Sequence, residues 1–156
     1  MHGNVADFIL AQLGEWGVER IYGVLGDAIF PLMDAFTRQS KIEFISATNE
    51  TAAAFMASYE ARLTGRLTVC TATSGPGTVN LLNGLADAYL DGSPVLAITG
   101  QVETKKSISG QNNILISSCC IEIFLNIQPC SLIRPLLQKY LPLPPGKLIL
   151  IFRWPM

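Results

Sequence analysis

The sequence predicts an α/β protein with a doubly wound, mostly parallel sheet flanked by helices, and an irregular C-terminal part. Three observations predict it. Helical and strand patterns alternate through the first hundred residues, as they do where helical crossovers join parallel strands. Runs such as Val95-Leu96-Ala97-Ile98 are continuously apolar, the pattern of strands covered on both faces. Glycine-bearing or polar breaks follow the strands, where open α/β sheets bind their ligands.

Val5, Phe8, Ile9, Leu13 and Trp16 recur at helical spacing and define an amphipathic first helix, with Gly17 as its stop signal. Arg20–Val24 is a short strand broken by Gly26-Asp27. Asp27 is placed to cap the next helix, whose apolar positions are Ile29, Leu32, Met33 and Phe36. Ile42–Ser46 is the second strand, and residues 50–63 form a helix rich in alanine, the strongest helix former. Leu67–Thr71 is the third strand, Thr78–Leu90 the next helix and Pro94–Thr99 the fourth strand. The turns Gly23–Asp27, Ala47–Glu50 and Ala72–Gly77 then share one end of the sheet, where a ligand site is expected.

Composition changes near Lys105-Lys106. Six of the nine prolines lie at 129, 135, 142, 144, 145 and 155, only Gly110 and Gly146 of thirteen glycines follow that point, and Glu122 is its single acidic residue. Ile114–Ile127 has no clear period, while 131–141 and Lys147–Phe152 pass coarsely for a helix and a final strand. Residues 1–106 are therefore read as one domain and 107–156 as an atypical tail.

A chain of 156 residues with 49% hydrophobic and 15% charged residues is too apolar for disorder. A chain this long buries roughly two-thirds of its unfolded surface. The net charge is −1 with no basic stripe, which argues against a nucleic-acid partner. No apolar run reaches the roughly 20 residues of a membrane helix, and Met1–Asp7 lacks the features of a signal peptide. The expected location is the cytoplasm. The single histidine, His2, excludes a Ser-His-Asp triad and a histidine-based metal site. Cys70 reads as a small apolar strand residue, and Cys119, Cys120 and Cys130 form no Cys-x-x-Cys framework.

Two segments carry chemistry. Asn49-Glu50-Thr51-Ala52-Ala53-Ala54-Phe55-Met56-Ala57 puts a carboxylate at the mouth of a strand-to-helix turn. In Ser74-Gly75-Pro76-Gly77, glycines flank a rigid proline, which allows a tight turn and close backbone approach to a flat ligand. Asn80, Gly84, Ala86-Asp87-Ala88 and Pro94–Gln101 follow it. Taken alone, Glu50 complements a helix dipole and Asn80 is a helix-surface amide. Together, the segments resemble the pyrimidine-binding domain of thiamine diphosphate-dependent enzymes, in the group holding acetolactate synthase and pyruvate oxidase. The resemblance runs from about residue 4 to residue 106 and is strongest between 44 and 102.

The resemblance implies that Glu50 is catalytic: the matching glutamate hydrogen-bonds a ring nitrogen of the aminopyrimidine. This favours the imino tautomer, which takes the proton from the thiazolium carbon. A glutamate suits the role because a partly desolvated carboxyl can share a proton near neutral pH. The cofactor then acts as electron sink for a 2-keto acid. Leu25, Gly26, Thr73, Pro76 and Asn80 are implied to lie against the pyrimidine with Glu50. Gly23-Val24-Leu25-Gly26-Asp27 lacks the Gly-x-Gly-x-x-Gly spacing of a dinucleotide site, so a backbone wall is expected there rather than a phosphate cradle. Arg62 and Arg66 are read as salt-bridge partners or solvated charges. Asn49 stands where relatives often have histidine, and Leu25 where they usually have proline.

The resemblance also implies magnesium, and FAD as an option, through domains absent from this chain, which has no Gly-Asp-Gly turn for the diphosphate. The implied partner is the diphosphate-binding domain of another chain or subunit, in a homo- or hetero-oligomer. This chain then supplies half a site and is inactive alone. From Ser107 onward the family pattern is lost, which suggests a truncated or frameshifted product. The alternatives are a stand-alone pyrimidine subunit of a two-subunit decarboxylase, a non-catalytic α/β nucleotide-binding module, or an interaction fragment.

Overall fold

The computed structural model describes residues 4–100 and the backbone of 148–152. The readings of His2, Cys119, Cys120, Cys130, Ile114–Ile127 and 131–141 lie outside the described residues.

Helix α1 (Val5–Glu15) opens on a capping box: Asn4 Oδ1 accepts from the Asp7 N–H at 3.0 Å, and the Asn4 N–H donates to Asp7 Oδ2 at 2.8 Å. Gly17, just past its end, takes φ 81°, the left-handed conformation that glycine adopts without strain. The buried stripe is Ala6, Ile9, Leu10 and Leu13, while Val5, Phe8 and Trp16 remain 37–40% exposed. Three of the five expected core positions thus sit at the edge of the stripe. The i, i+3, i+4, i+7 set that faces inward starts at the small Ala6.

Four strands follow in register: β1 (Arg20–Gly23), β2 (Glu43–Ser46), β3 (Thr68–Ala72) and β4 (Val95–Gly100). Between them run α2 (Phe30–Phe36), α3 (Glu50–Thr64), α4 (Pro76–Asn80) and α5 (Leu82–Leu90). The sheet order is β2-β1-β3-β4-β5; the first four strands are parallel, and β5 (Leu148–Phe152) pairs antiparallel with β4. The doubly wound, mostly parallel fold expected from the alternation is therefore present. The coarse strand reading at 147–152 corresponds to β5.

Alternate strand residues point to opposite faces. Ile21, Val69, Leu96 and Ile98 pack with Ala6, Leu10, Leu13, Leu32 and Ala35 of α1 and α2. Tyr22, Cys70, Ala72 and Ala97 pack with Ala53, Ala54, Ala57, Leu82 and Leu85 of α3 and α5. Two cores on one sheet explain why β3 and β4 are buried at every position. Cys70 is the small buried strand residue expected, and complete burial pushes its thiol up to about 12. Among the described residues, no helix is long and apolar enough to cross a membrane.

Two local expectations are corrected. Asp27 does not cap α2. A 3-10 turn (Asp27–Ile29) intervenes, and the Asp27 carboxylate accepts instead from the Ala28 N–H at 2.8 Å and the Thr73 hydroxyl at 3.0 Å. The single helix expected over Thr78–Leu90 is two helices meeting at Leu81. It starts earlier, because Pro76 is preset for the first turn of a helix and needs no N–H partner. It breaks where the Asn80 carbonyl accepts the Thr51 hydroxyl at 2.8 Å, a tertiary contact with no local sequence signal.

Candidate functional site

From β1 the chain crosses to β2, and from β3 it crosses the other way to β4, so a crevice opens between the carboxyl ends of β1 and β3. All three turns singled out in the sequence border it.

The first turn is packed backbone to side chain. A Cβ on Gly23 would lie 2.5 Å from Thr71 Cγ2 and 2.7 Å from the Thr71 carbonyl oxygen. One on Gly26 would meet Thr73, at 2.8 Å from Cγ2 and 2.9 Å from Oγ1. The Ala28 N–H is spent on Asp27 Oδ1 and on Thr73 Oγ1 at 3.3 Å. That amide is therefore already satisfied by the chain's own acceptors and is not held open for a phosphate. Leu25 is 59% exposed at the lip.

The second turn delivers Glu50. Asn49 takes extended backbone and caps α3, its Oδ1 accepting from the Ala52 N–H at 2.8 Å. Glu50 is therefore the first residue of the helix and half-buried, and among the described residues it has no ion pair. Its Oε2 accepts from Asn80 Nδ2 at 3.1 Å.

The third turn supplies the floor. Gly75 adopts φ 73° and ψ −124°, a conformation only glycine takes readily, and the chain enters α4 at Pro76. The buried Thr78 hydroxyl donates to the Thr73 carbonyl at 2.8 Å and closes the turn. A Cβ on Gly77 would lie 2.9 Å from Glu50 Oε1 and 3.2 Å from Thr73 Cγ2. The absent methyl is what makes room for the carboxyl.

Glu50, Thr73 and Asn80 are thus brought together around Gly77, and Gly26 joins them through Thr73. Leu25 and Pro76 are exposed on the turns that border the crevice. Sequence reasoning missed Thr51, which bonds the Asn80 carbonyl, and the partnership of Asp27 with Thr73. Both span 29 residues or more, beyond any periodic signal. The ionic groups lie elsewhere. Arg62 bonds Asp87 at 3.1 Å and also pairs with Asp91, and Arg66 bonds Glu19 at 3.0 Å, the salt-bridge role expected for both arginines.

The arrangement can receive a flat heterocycle: a carboxyl outside any described ion pair can meet a ring nitrogen, and glycine leaves the adjacent wall bare. No group of three or more His, Cys, Asp or Glu side chains able to hold a metal ion occurs among the described residues.

Residues 3–115 match the family model for the N-terminal TPP binding domain of thiamine pyrophosphate enzymes. The chain belongs to this family. It is 46% identical over 99 residues to the acetolactate synthase isozyme 2 large subunit of Escherichia coli, covering 64% of this chain and 18% of that one. It is 44% identical over 97 residues to an acetolactate synthase of Mycobacterium bovis, covering 62% and 16%. With the isozyme 1 large subunit of Escherichia coli the identity is 42% over 97 residues, covering 62% and 17%. This is a thiamine diphosphate-binding N-terminal domain of the acetolactate synthase-like kind, and it spans 16% to 18% of the length of these relatives.

Proposed function

We propose that this thiamine pyrophosphate enzyme domain supplies the pyrimidine half of an active site that decarboxylates or carboligates a 2-keto acid, with Glu50 as its catalytic acid. The observation that carries the reading is the half-buried Glu50 carboxyl, free of any described ion pair, held over Gly77 at the β1/β3 crevice. Thiamine diphosphate, when bound, supplies the electron sink for 2-keto acid chemistry. The Glu50 carboxyl hydrogen-bonds a ring nitrogen of the pyrimidine and exchanges a proton with it. Gly26, Thr73 and Gly77 give the ring a close, water-excluding wall. Leu25 and Pro76 border the same space, and Asn80 stands beside the acid.

The diphosphate and its magnesium ion belong on a second domain, in another chain or subunit of a homo- or hetero-oligomer. FAD, where the enzyme uses it, belongs outside this chain too. The satisfied Ala28 amide disfavours the competing reading of a nucleotide-binding module.

Calorimetric titration with thiamine diphosphate and magnesium, with and without the diphosphate-binding domain of an acetolactate synthase relative, tests the proposal. Binding that strengthens with the partner supports it. Nucleotide binding without thiamine diphosphate binding overturns it. In the reconstituted enzyme, Glu50→Gln should stay folded and lose about 100-fold or more in turnover, the range for a lost general acid. Full turnover in that variant removes Glu50 from the mechanism.

A further inference from the structure

We propose that Thr51 and Asn80 are positioning residues that aim the Glu50 carboxyl, an inference that rests on Glu50 being the catalytic acid. Residues 50 and 51 hold the two ends of Asn80. The Thr51 hydroxyl donates to its backbone carbonyl at 2.8 Å, and the Asn80 side-chain amide donates to Glu50 Oε2 at 3.1 Å. These bonds close a ring between the first turn of α3 and the last residue of α4, across 29 and 30 residues of chain. Asn80 is exposed, and an exposed amide is ordinarily free to turn into water. Here its backbone is tied by Thr51 at the α4/α5 break.

The consequence is an assignment of the two carboxyl oxygens. An amide N–H can only donate, so the oxygen it meets, Oε2, stays an acceptor. Oε1 lies over Gly77 and is the oxygen left to carry the proton. Without the ring of bonds, Glu50 keeps its composition and loses its aim. The ring adds little to folding: α3 is already capped by Asn49 and anchored by Ala53, Ala54, Ala57 and Ala61, all fully buried.

Two readouts test this, one of them without cofactor. In nuclear magnetic resonance of the full chain, the Asn80 side-chain amide signals should move with Glu50→Gln and with Thr51→Val, and return with Thr51→Ser. Signals indifferent to Glu50→Gln and Thr51→Val overturn the proposal. In the holoenzyme reconstituted with a diphosphate-binding domain, proton exchange at the thiazolium carbon should slow about 10- to 100-fold in Asn80→Ala. Thr51→Val should slow it about 10-fold and Thr51→Ser should restore it, with thiamine diphosphate affinity held within about threefold throughout. Unchanged exchange in Asn80→Ala and Thr51→Val, with Glu50→Gln still slow, overturns the positioning role and leaves the acid assignment standing. Affinity and exchange falling together make them binding residues and also overturn it. Unchanged exchange in Glu50→Gln overturns the underlying assignment instead.

Discussion

Gly77 shows how one missing methyl couples backbone to chemistry. A β-carbon there would press on Glu50 Oε1 at 2.9 Å and on Thr73 Cγ2 at 3.2 Å. Its φ is not positive, and alanine in a helix is favoured over glycine by about 1 kcal/mol. Gly77→Ala should therefore leave the melting temperature within a few degrees of wild type, yet weaken thiamine diphosphate binding about tenfold in the reconstituted enzyme. Calorimetry beside a thermal melt reads both. Asn49 is the complementary case, because its side chain holds the turn of α3 that carries Glu50. Asn49→Ala should cost about 1 kcal/mol of stability, seen in denaturant unfolding. The family's frequent histidine at that position is replaced by a residue that cannot titrate but still caps.

Helices α3 and α5 pack closely, and their composition explains it. Ala53, Ala54, Ala57 and Ala61 present a flat, fully buried surface, and Gly84 lies against it. A Cβ on Gly84 would stand 2.5 Å from Ala54 Cβ and 2.6 Å from both the Ala54 carbonyl carbon and the Phe55 nitrogen. Backbone atoms cannot step aside as a flexible side chain would. Gly84→Ala should destabilise by about 1–3 kcal/mol despite its better helix propensity, measured by chemical denaturation. On the outer side of the same pair, the buried Ser58 hydroxyl donates to Asp87 at 2.8 Å, and Arg62 bonds the same carboxylate while lying 4.7 Å over the Tyr59 ring. Ser58 first, and Arg62 after it, hold the Asp87 carboxyl below its ordinary value. A depressed carboxyl stabilises the fold above the unfolded value of about 4, and that contribution fades as pH falls through the folded value. Asp87→Asn should lower the melting temperature at neutral pH, and the gap to wild type should close as the pH is taken well below about 4.

For the molecule as a whole, the sheet order decides where chemistry is possible. Reversal of winding direction between β1 and β3 brings Gly26, Glu50, Thr73 and Gly77 to one crevice, although 51 positions separate the first from the last. The crevice supplies a carboxyl and a bare glycine wall, and the proposed partner would bring the diphosphate site. In the complex with such a partner, thiamine diphosphate at 100 times its dissociation constant should stabilise the folded state by about 2.7 kcal/mol. A melting temperature indifferent to the cofactor would count against a shared site.

Much of this was legible in the residues alone. Continuous apolar runs marked the doubly covered strands and the alanines marked a helix, because each of those signals is local; Glu50 and the Gly-Pro-Gly turn stood out only through the family resemblance, and folding brings them to one crevice. The edge placement of Val5, Phe8 and Trp16, the 3-10 turn at Asp27 and the break at Leu81 were not. Each depends on a neighbour distant in sequence: the two cores choose the buried stripe, Thr73 captures the Asp27 carboxylate, and Thr51 captures the Asn80 carbonyl. Which side chains stand at the strand-to-helix turns was written in the order of the amino acids. The direction in which the Glu50 acid faces emerged from folding, since a hydrogen bond across thirty residues has no pattern until the sheet closes it.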